Sequence, residues 1–588
     1  MPIASLALLL ALAAPPIGEV VPDLEFVDAR YAARRLSELL PARATVLFFT
    51  SKGCPIAERY LPLLGELERR RRPEGVRVAA VNVGESDSIV EMAAQGLASG
   101  ADFPFVRDFD GIAAEALGVT RSGEVALLDA ERRLVYRGRV DGRFRFSGAS
   151  PSAGREDLAE AIDDVLAGRP VRVEETPAEG CLITRERDRK KVPEASFARD
   201  VAPILAKHCR DCHRSGGDAP FPLETFEDAA RRARTLAEAV RQGRMPPWFA
   251  PPEHAEFVNR RGLSPEERRT VLDWVAAGAP RGDAAAPAED GSGGAGDPRA
   301  WKIGEPDLVV TAAETERIPA AGRLPYRYLL LPHLFAEDTW IERLEIRPEN
   351  PRVVHHANLG FVNFSKEFDP NENFLTGLVP GGVPMALDAG TAVLVPKGSA
   401  LGLEVHYVPT GREEEDRISV GIVFPRAPVE KRLRHLTLAS TRFEIPPGAP
   451  AHPVRARGTL EADSTGVALF AHMHWRGKDV TFTAEPPGGR KETLLAVPNY
   501  SFDWQVAYLW PRGAKRFPKG TRVECLAHFD NSAWNPFNPD PAKTVRFGLQ
   551  TEDEMMYGFF FYTEDGENLA LDVDPKTGFA RGAVTSPR

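Results

Sequence analysis

Cysteine is scarce. The 588 residues hold five, at positions 54, 181, 209, 212 and 525. A set this sparse excludes a disulfide-stapled scaffold, and only Cys209 and Cys212 share a motif. Excess positive charge is also missing. The formal net charge is −10 and no basic stripe offsets it, so no nucleic-acid partner is expected. The one dense basic run, "ERRRRPEG" at 68–75, ends a helical pattern and reads as a solvated face. No internal segment approaches the ~20 apolar residues that a bilayer crossing requires, so no transmembrane span is expected. Residues 1–17 are apolar, with small residues near Ala14, and read as a cleaved secretory signal that lacks the usual basic start. The expected location is periplasmic or secreted.

The length argues for about four domains. Residues 19–185 alternate strand and helix patterns. "ATVLFFT" (44–50) and "VRVAAVNV" (76–83) are buried-strand runs, and "SDSIVEMAAQGLASG" is a helix with an N-cap Ser. "EVALLDAERRLVYRGRV" (124–140) reads as a hairpin, and "REDLAEAIDDVLAG" (155–168) as a closing helix. That order predicts a compact α/β domain. Residues 192–282 predict a small all-α domain. Residues 283–300 are Gly/Ala/Pro-rich with little to bury, a linker. From 301 onward, short β-like runs between Pro/Gly turns predict two all-β sandwiches, at 301–432 and 433–580.

"KHCRDCHRSGG" contains Cys209-Arg-Asp-Cys212-His213. Two thiols can add to the vinyl groups of a haem while the next histidine ligates its iron. A zinc site would want a second Cys/His pair, which is not nearby. A redox dithiol would want a βαβ context, and the flanks here are helical. Met245, in "GRMPPWFAP", is the favoured second axial ligand. His208 and His254 compete for that role, with His208 expected to be exposed. The pattern "HCRDCH…APFPL…MPPW…WVAAGAP" resembles the small cytochrome c-like domains fused to other modules in environmental bacteria. The resemblance implies one covalently bound haem c.

"LFFTSKGCPIAERYLPLL" resembles the redoxin branch of the thioredoxin superfamily, with Cys54-Pro55 at a helix start. A thiol there is acidified by the helix N-terminus. Three departures count against ordinary reductase or peroxidase chemistry. Ala57 stands where a CxxC would resolve, Ser51 where a peroxidase has Thr, and Gly123 where a cis-proline is usual. Cys54 and Cys181 are the candidate redox thiols, and the sequence does not fix whether they pair.

Nine of the twelve histidines lie in the last 288 residues. His355-His356 lies in "RVVHHANLG", His406 in "LGLEVHYVPTG", and His472 and His474 in "ALFAHMHWRGKD". On a strand, an H-x-H pair projects from one face. Adjacent histidines can share a metal only at a bulge or a strand end. Met555-Met556 follows in "TEDEMMYGFFFY". Imidazole with thioether suits copper, and zinc would rarely recruit Met. His333, His435, His452 and His528 read as structural.

HH, H, HxH and EM, in that order, resemble the copper type II, ascorbate-dependent monooxygenases, the family of the peptidylglycine and dopamine hydroxylating enzymes. The resemblance implies two jelly-roll-like sandwiches with one copper ion each. His355, His356 and His406 would hold the first. His472, His474 and Met555, with Met556 as the fallback, would hold the second and perform catalysis. It implies O2, a small organic substrate, an external electron donor and a solvent-filled cleft between the sites. Phe470 and Phe559 replace the Arg and Tyr that clamp a peptide carboxylate, which argues against peptide amidation. The whole chain then reads as an exported redox fusion. Its alternatives are an electron-transfer or copper-binding protein without hydroxylase activity, and a thiol–disulfide protein acting through Cys54.

Overall fold

The computed structural model describes residues 16–583 except 40–41, 146–147, 150–153, 186–194, 216, 218, 283–299 and 365–372. The expected signal segment up to residue 15 and the linker up to residue 299 lie outside the described residues. Two compact units emerge: residues 1–193 with 241–244, and residues 194–240 with 245–588.

The first unit is α/β. Its strands are β1 (Glu25–Asp28), β2 (Ala33–Arg35), β3 (Ala44–Thr50), β4 (Val76–Asn82), β5 (Phe105–Arg107), β6 (Glu124–Asp129) and β7 (Leu134–Arg139). They form one sheet in the order β2-β1-β5-β4-β3-β6-β7. β3 lies parallel to β4 and antiparallel to β6. All seven residues of β3 are buried, because this central strand is covered on both faces. The helices are α1 (Pro55–Arg71), α2 (Ile89–Ser99), α3 (Ile112–Ala116) and α4 (Asp157–Leu166). Ser88 caps α2 in a capping box with Glu91, and Gly100 ends the helix at φ 65°. The predicted hairpin and closing helix are both present.

In the second unit, residues 195–282 carry α5 (Ala202–His208), α6 (Phe226–Arg231), α7 (Ala233–Gln242) and α8 (Pro265–Ala276). Phe197, Leu205, Val271 and Trp274 make their core. This segment clusters with the β region instead of standing apart. The reason is a stretch of chain after α7. The Val258 N–H donates to Leu509 O at 2.8 Å, and Asn259 Nδ2 donates to Ala507 O at 2.7 Å. Trp248 and Phe257 pack on Tyr508, with centroids 5.0 and 5.4 Å away.

The rest is β-rich. One four-stranded sheet runs β8-β11-β9-β10, built from β8 (Arg327–Phe335), β9 (Val354–Asn363), β10 (Phe374–Leu378) and β11 (Ser399–Tyr407). Strand alternation decides its faces. Leu401, Leu403, Val405 and Tyr407 enter the core, so Gly402, Glu404 and His406 take the other face. A second sheet runs β12-β15-β13-β14, from β12 (Arg434–Ser440), β13 (Ser464–His472), β14 (Tyr508–Leu509) and β15 (Met556–Glu564). On β15, Phe560 packs inward against Trp510 and Phe517. Tyr557, Phe559 and Phe561 take the opposite face, with Phe470, Ala468 and Leu433. Phe374 of β10 packs on that face, so the two sheets meet there. The tail returns to the earlier half: Leu571 bridges Val429 and Phe579 bridges Thr339.

Phe560 is fully buried. Replacing it with Ala is expected to destabilise the β region by about 3–5 kcal/mol, from lost transfer energy and a residual cavity. The measurement is a urea denaturation midpoint followed by tryptophan fluorescence, and an unchanged midpoint would contradict the packing described.

Candidate metal centre

His356 and His406 lie opposite each other on β9 and β11, and the register of β9 breaks between Val354 and His356. That irregularity turns His355 out of alternation, as two adjacent ligands require. The three rings converge, with one nitrogen from each within 4.8 Å of the others. His355 Nδ1 stands 3.0 Å from His356 Nδ1. Two nitrogens bound at right angles about 2.0 Å from one metal would sit roughly 2.9 Å apart. His355 Nε2 is engaged by Asp503 Oδ1 at 3.0 Å, which leaves Nδ1 for a metal. His406 Nδ1 is buried without a hydrogen-bond partner.

His472 ends β13, and His474 follows in the turn. Their ring centroids are 5.2 Å apart. Each ring is held at Nδ1: His472 by Gln505 Oε1 at 2.5 Å, His474 by Asp553 O at 3.2 Å. Nε2 of His474 is buried and unpartnered. Orientation at one nitrogen with the other left free is how a metal-binding imidazole is presented. Between them Met473 turns away, its backbone clasped by the Tyr500 hydroxyl at 3.0 and 2.7 Å. Met555 joins His472 on the wall of one cavity. Met556 starts β15 opposite Ser440 and is only 1% exposed, so the fallback ligand does not share that wall.

Glu554 binds this turn to the Met strand. Its carboxylate accepts the N–H groups of His474 (2.9 Å), Arg476 (2.6 Å) and Met555 (3.3 Å). Burial pushes its carboxyl up to about 8. Burial also pushes the imidazoles down, His406 to about 4 and His474 to about 3, so both are neutral donors.

The two clusters are neighbours. The His356 and His472 centroids are 6.2 Å apart. A solvent-filled cleft was expected between them; side chains of the loop at 501–505 reach both sets. Phe502 stacks on His355 at 5.2 Å and stands edge-on to His356 at 5.6 Å and His474 at 6.1 Å. Asp503 and Gln505 of the same loop hold His355 and His472. Sequence reading missed these three residues; the stretch has no periodicity to expose them.

A cavity of about 700 Å³ opens beside His472 and Met555. Phe374, Phe470, Phe547, Tyr557 and Phe559 supply its aromatic wall. Glu404, Asn358 and Tyr328 supply a polar side, where Asn358 Nδ2 donates to Glu404 Oε1 at 3.2 Å and burial raises the Glu404 carboxyl. His435 packs edge-on to Phe559, at 5.8 Å.

In the helical segment, Cys209 caps α5 and its carbonyl accepts the His213 N–H at 2.8 Å. The His213 Nδ1–H donates to Phe221 O at 3.0 Å, leaving Nε2 for an axial bond. Neither thiol is in a disulfide, and burial pushes Cys209 up to about 12. Donor types and ring orientation fit a covalent haem. Met245 is half-buried after α7. His208 is not exposed as expected: its side chain is 12% accessible because Nε2 pairs with Glu267 Oε1 of α8 at 3.0 Å. His254 is exposed.

In the first unit, Cys54 caps α1 and is 1% exposed. Its Sγ lies 3.9 Å from Ser122 O. Cys181 packs on the core containing Cys54, and burial with a Cys54 hydrogen bond pushes its thiol up to about 11. No helix among the described residues is long and apolar enough to cross a membrane.

Residues 16–150 match the Redoxin family model. The chain is 34% identical over 92 residues to the thiol-disulfide oxidoreductase ResA of Geobacillus kaustophilus, covering 16% of this chain and 51% of that protein. It thus spans about half the length of that curated relative. Among solved structures, a hypothetical protein from Sinorhizobium meliloti 1021 is 27% identical, covering 29% of this chain and 94% of its own, with a TM-score of 0.27. The thioredoxin domain of a thiol-disulfide oxidoreductase from Bacteroides vulgatus is 13% identical, covering 26% and 99%, with a TM-score of 0.21. With its seven-stranded sheet and Cys54 at the start of α1, the N-terminal segment is a redoxin-type, thioredoxin-like domain.

Proposed function

We propose that the β region binds two copper ions and hydroxylates a C–H bond of an apolar organic substrate with O2. One observation carries the reading. Three His converge where two sheets meet, and beside them a His-x-His pair places His472 on the wall of an aromatic cavity that Met555 also lines. The thioether favours copper over zinc. Copper at these donors would supply O2 activation and one-electron storage. The protein's own part is positional. Asp503, Gln505 and Asp553 orient the imidazoles, Glu554 ties His474 to Met555, and Phe502 packs against rings of both sets.

The cavity sets the substrate class. Phe470 and Phe559 offer no charge to a carboxylate, so peptide amidation is disfavoured. The aromatic wall suits a flat or apolar body, and Glu404 suits a hydrogen-bond donor on it. Cys209, Cys212 and His213 would hold a haem c that relays electrons from an external donor. Its covalent tether would raise the local donor concentration. An exported location follows from the N-terminal sequence and the haem motif.

A second reading places the activity in thiol–disulfide chemistry at Cys54. The redoxin match and the position of Cys54 at the start of α1 favour it. Turnover of an apolar substrate that survives Cys54→Ser would assign that reaction to the β region.

Metal analysis should find two coppers per chain in wild type and one in His406→Ala. Equal copper in both proteins would remove the first site. In an oxygen electrode with a reductant present as electron donor, copper-loaded protein should couple O2 consumption to an apolar substrate bearing an amine or hydroxyl. Met555→Ala should slow this by about 100-fold or more, the scale expected when an essential catalytic interaction is lost. Efficient turnover of a glycine-extended peptide, or full activity in Met555→Ala, would contradict the assignment.

A further inference from the structure

Residues beyond the redoxin match return to its sheet. The Arg137 N–H donates to Glu174 O at 2.9 Å, and the Thr176 N–H to Arg137 O at 3.1 Å. The approach is closest at Gly138, where an added Cβ would stand 2.3 Å from Thr176 Oγ1. The chain then lies antiparallel to residues 120–122. The Ser122 N–H donates to Cys181 O at 2.8 Å, and the Ile183 N–H to Thr120 O at 3.0 Å. Arg121 bridges Leu182, and Arg121 Nη1 donates to Gly180 O at 2.9 Å. A Cβ on Gly180 would fall 1.7 Å from Ser122 O, so only glycine fits this contact.

Ser122 therefore indexes both cysteines. Its carbonyl meets Cys54 Sγ at 3.9 Å, and its N–H holds the Cys181 backbone. Cys181 also packs against the buried cluster that contains Cys54. Ala57 occupies the place of a local resolving cysteine, and Cys181 brings a second thiol to Cys54 from outside the helix.

We propose that Cys54 and Cys181 form a redox-active dithiol that exchanges with external disulfides. This rests on the thiol reading of the N-terminal domain and adds its second sulfur. Cys181, the more exposed of the two, loses its proton to solvent and attacks one sulfur of the disulfide. That S–S bond breaks, and the departing thiolate is protonated. Cys54 then gives up its proton and attacks Cys181 Sγ. The Cys54–Cys181 bond forms, and the second thiolate leaves and is protonated. Two electrons pass from the protein dithiol to the external disulfide, giving two thiols. A dithiol reductant reverses the sequence.

The test uses full-length protein with its haem attached, treated with glutathione disulfide, alkylated and mapped by mass spectrometry. Wild type should yield a Cys54–Cys181 cross-linked peptide with little bound glutathione. Cys54→Ser should hold glutathione on Cys181, at about tenfold or more over wild type, because nothing resolves it. Gly180→Ala, with its fold checked by circular dichroism, keeps both thiols and should also accumulate the mixed disulfide. Cys525, fully buried in the β region, serves as the unreactive control. Stable glutathione on a wild-type cysteine without the internal bond would overturn the pairing and leave the thiol reading standing. No reaction at either cysteine would overturn both.

Discussion

The contact between two sheet faces governs the site. The Phe374 ring stacks on Phe559 at 4.8 Å and on Phe470 at 6.0 Å, closing the sheet of β8–β11 against that of β12–β15. Each such ring contributes about 1.5–3 kcal/mol on burial. The donors come from residues 355 to 555 and can converge only when this contact forms. The same burial strips water from the imidazoles and holds them neutral. Geometry and protonation state thus share one cause.

Burying so much polar structure needs a closed network. Arg476 is 1% exposed, yet Nε donates to Asn531 Oδ1 at 3.0 Å and Nη1 to Glu552 O at 2.9 Å. Asn531 passes the connection on to Pro446 O and Lys543 O. Glu554 then takes three backbone N–H groups from the turn and the strand it joins. An unmet carboxylate here would cost several kcal/mol, so the turn and the Met strand are fixed as one body. The acid before the methionine in "DEMM" is thereby a structural tie.

Much of this was legible along the chain because it is local. The H-x-H spacing and the HH pair that demands a bulge are both short-range. The redoxin strands and the cap of α2 were readable for the same reason. Long-range pairings were not. His208 looks exposed at a helix end until Glu267, a capping-box residue of α8, reaches back to it. Phe502, Asp503 and Gln505 carry no periodic signal and gain meaning only where their loop meets β9. Gly180 looks like any turn glycine until Ser122 is found against it.

In the proposed reading, the cavity beside His472 and Met555 separates the roles of the two donor sets. Around the three-histidine set, the Tyr326 ring stands 5.1 Å from His406 and 5.7 Å from His356, and the exposed Asp503 holds His355. His472 and Met555 instead face a cavity large enough for a small organic molecule. A centre that must admit O2 and a C–H bond needs open positions and a space beside it for the substrate. With the His356 and His472 rings 6.2 Å apart, an electron would have a short protein path between the sets. The substrate would still meet only the set beside the cavity.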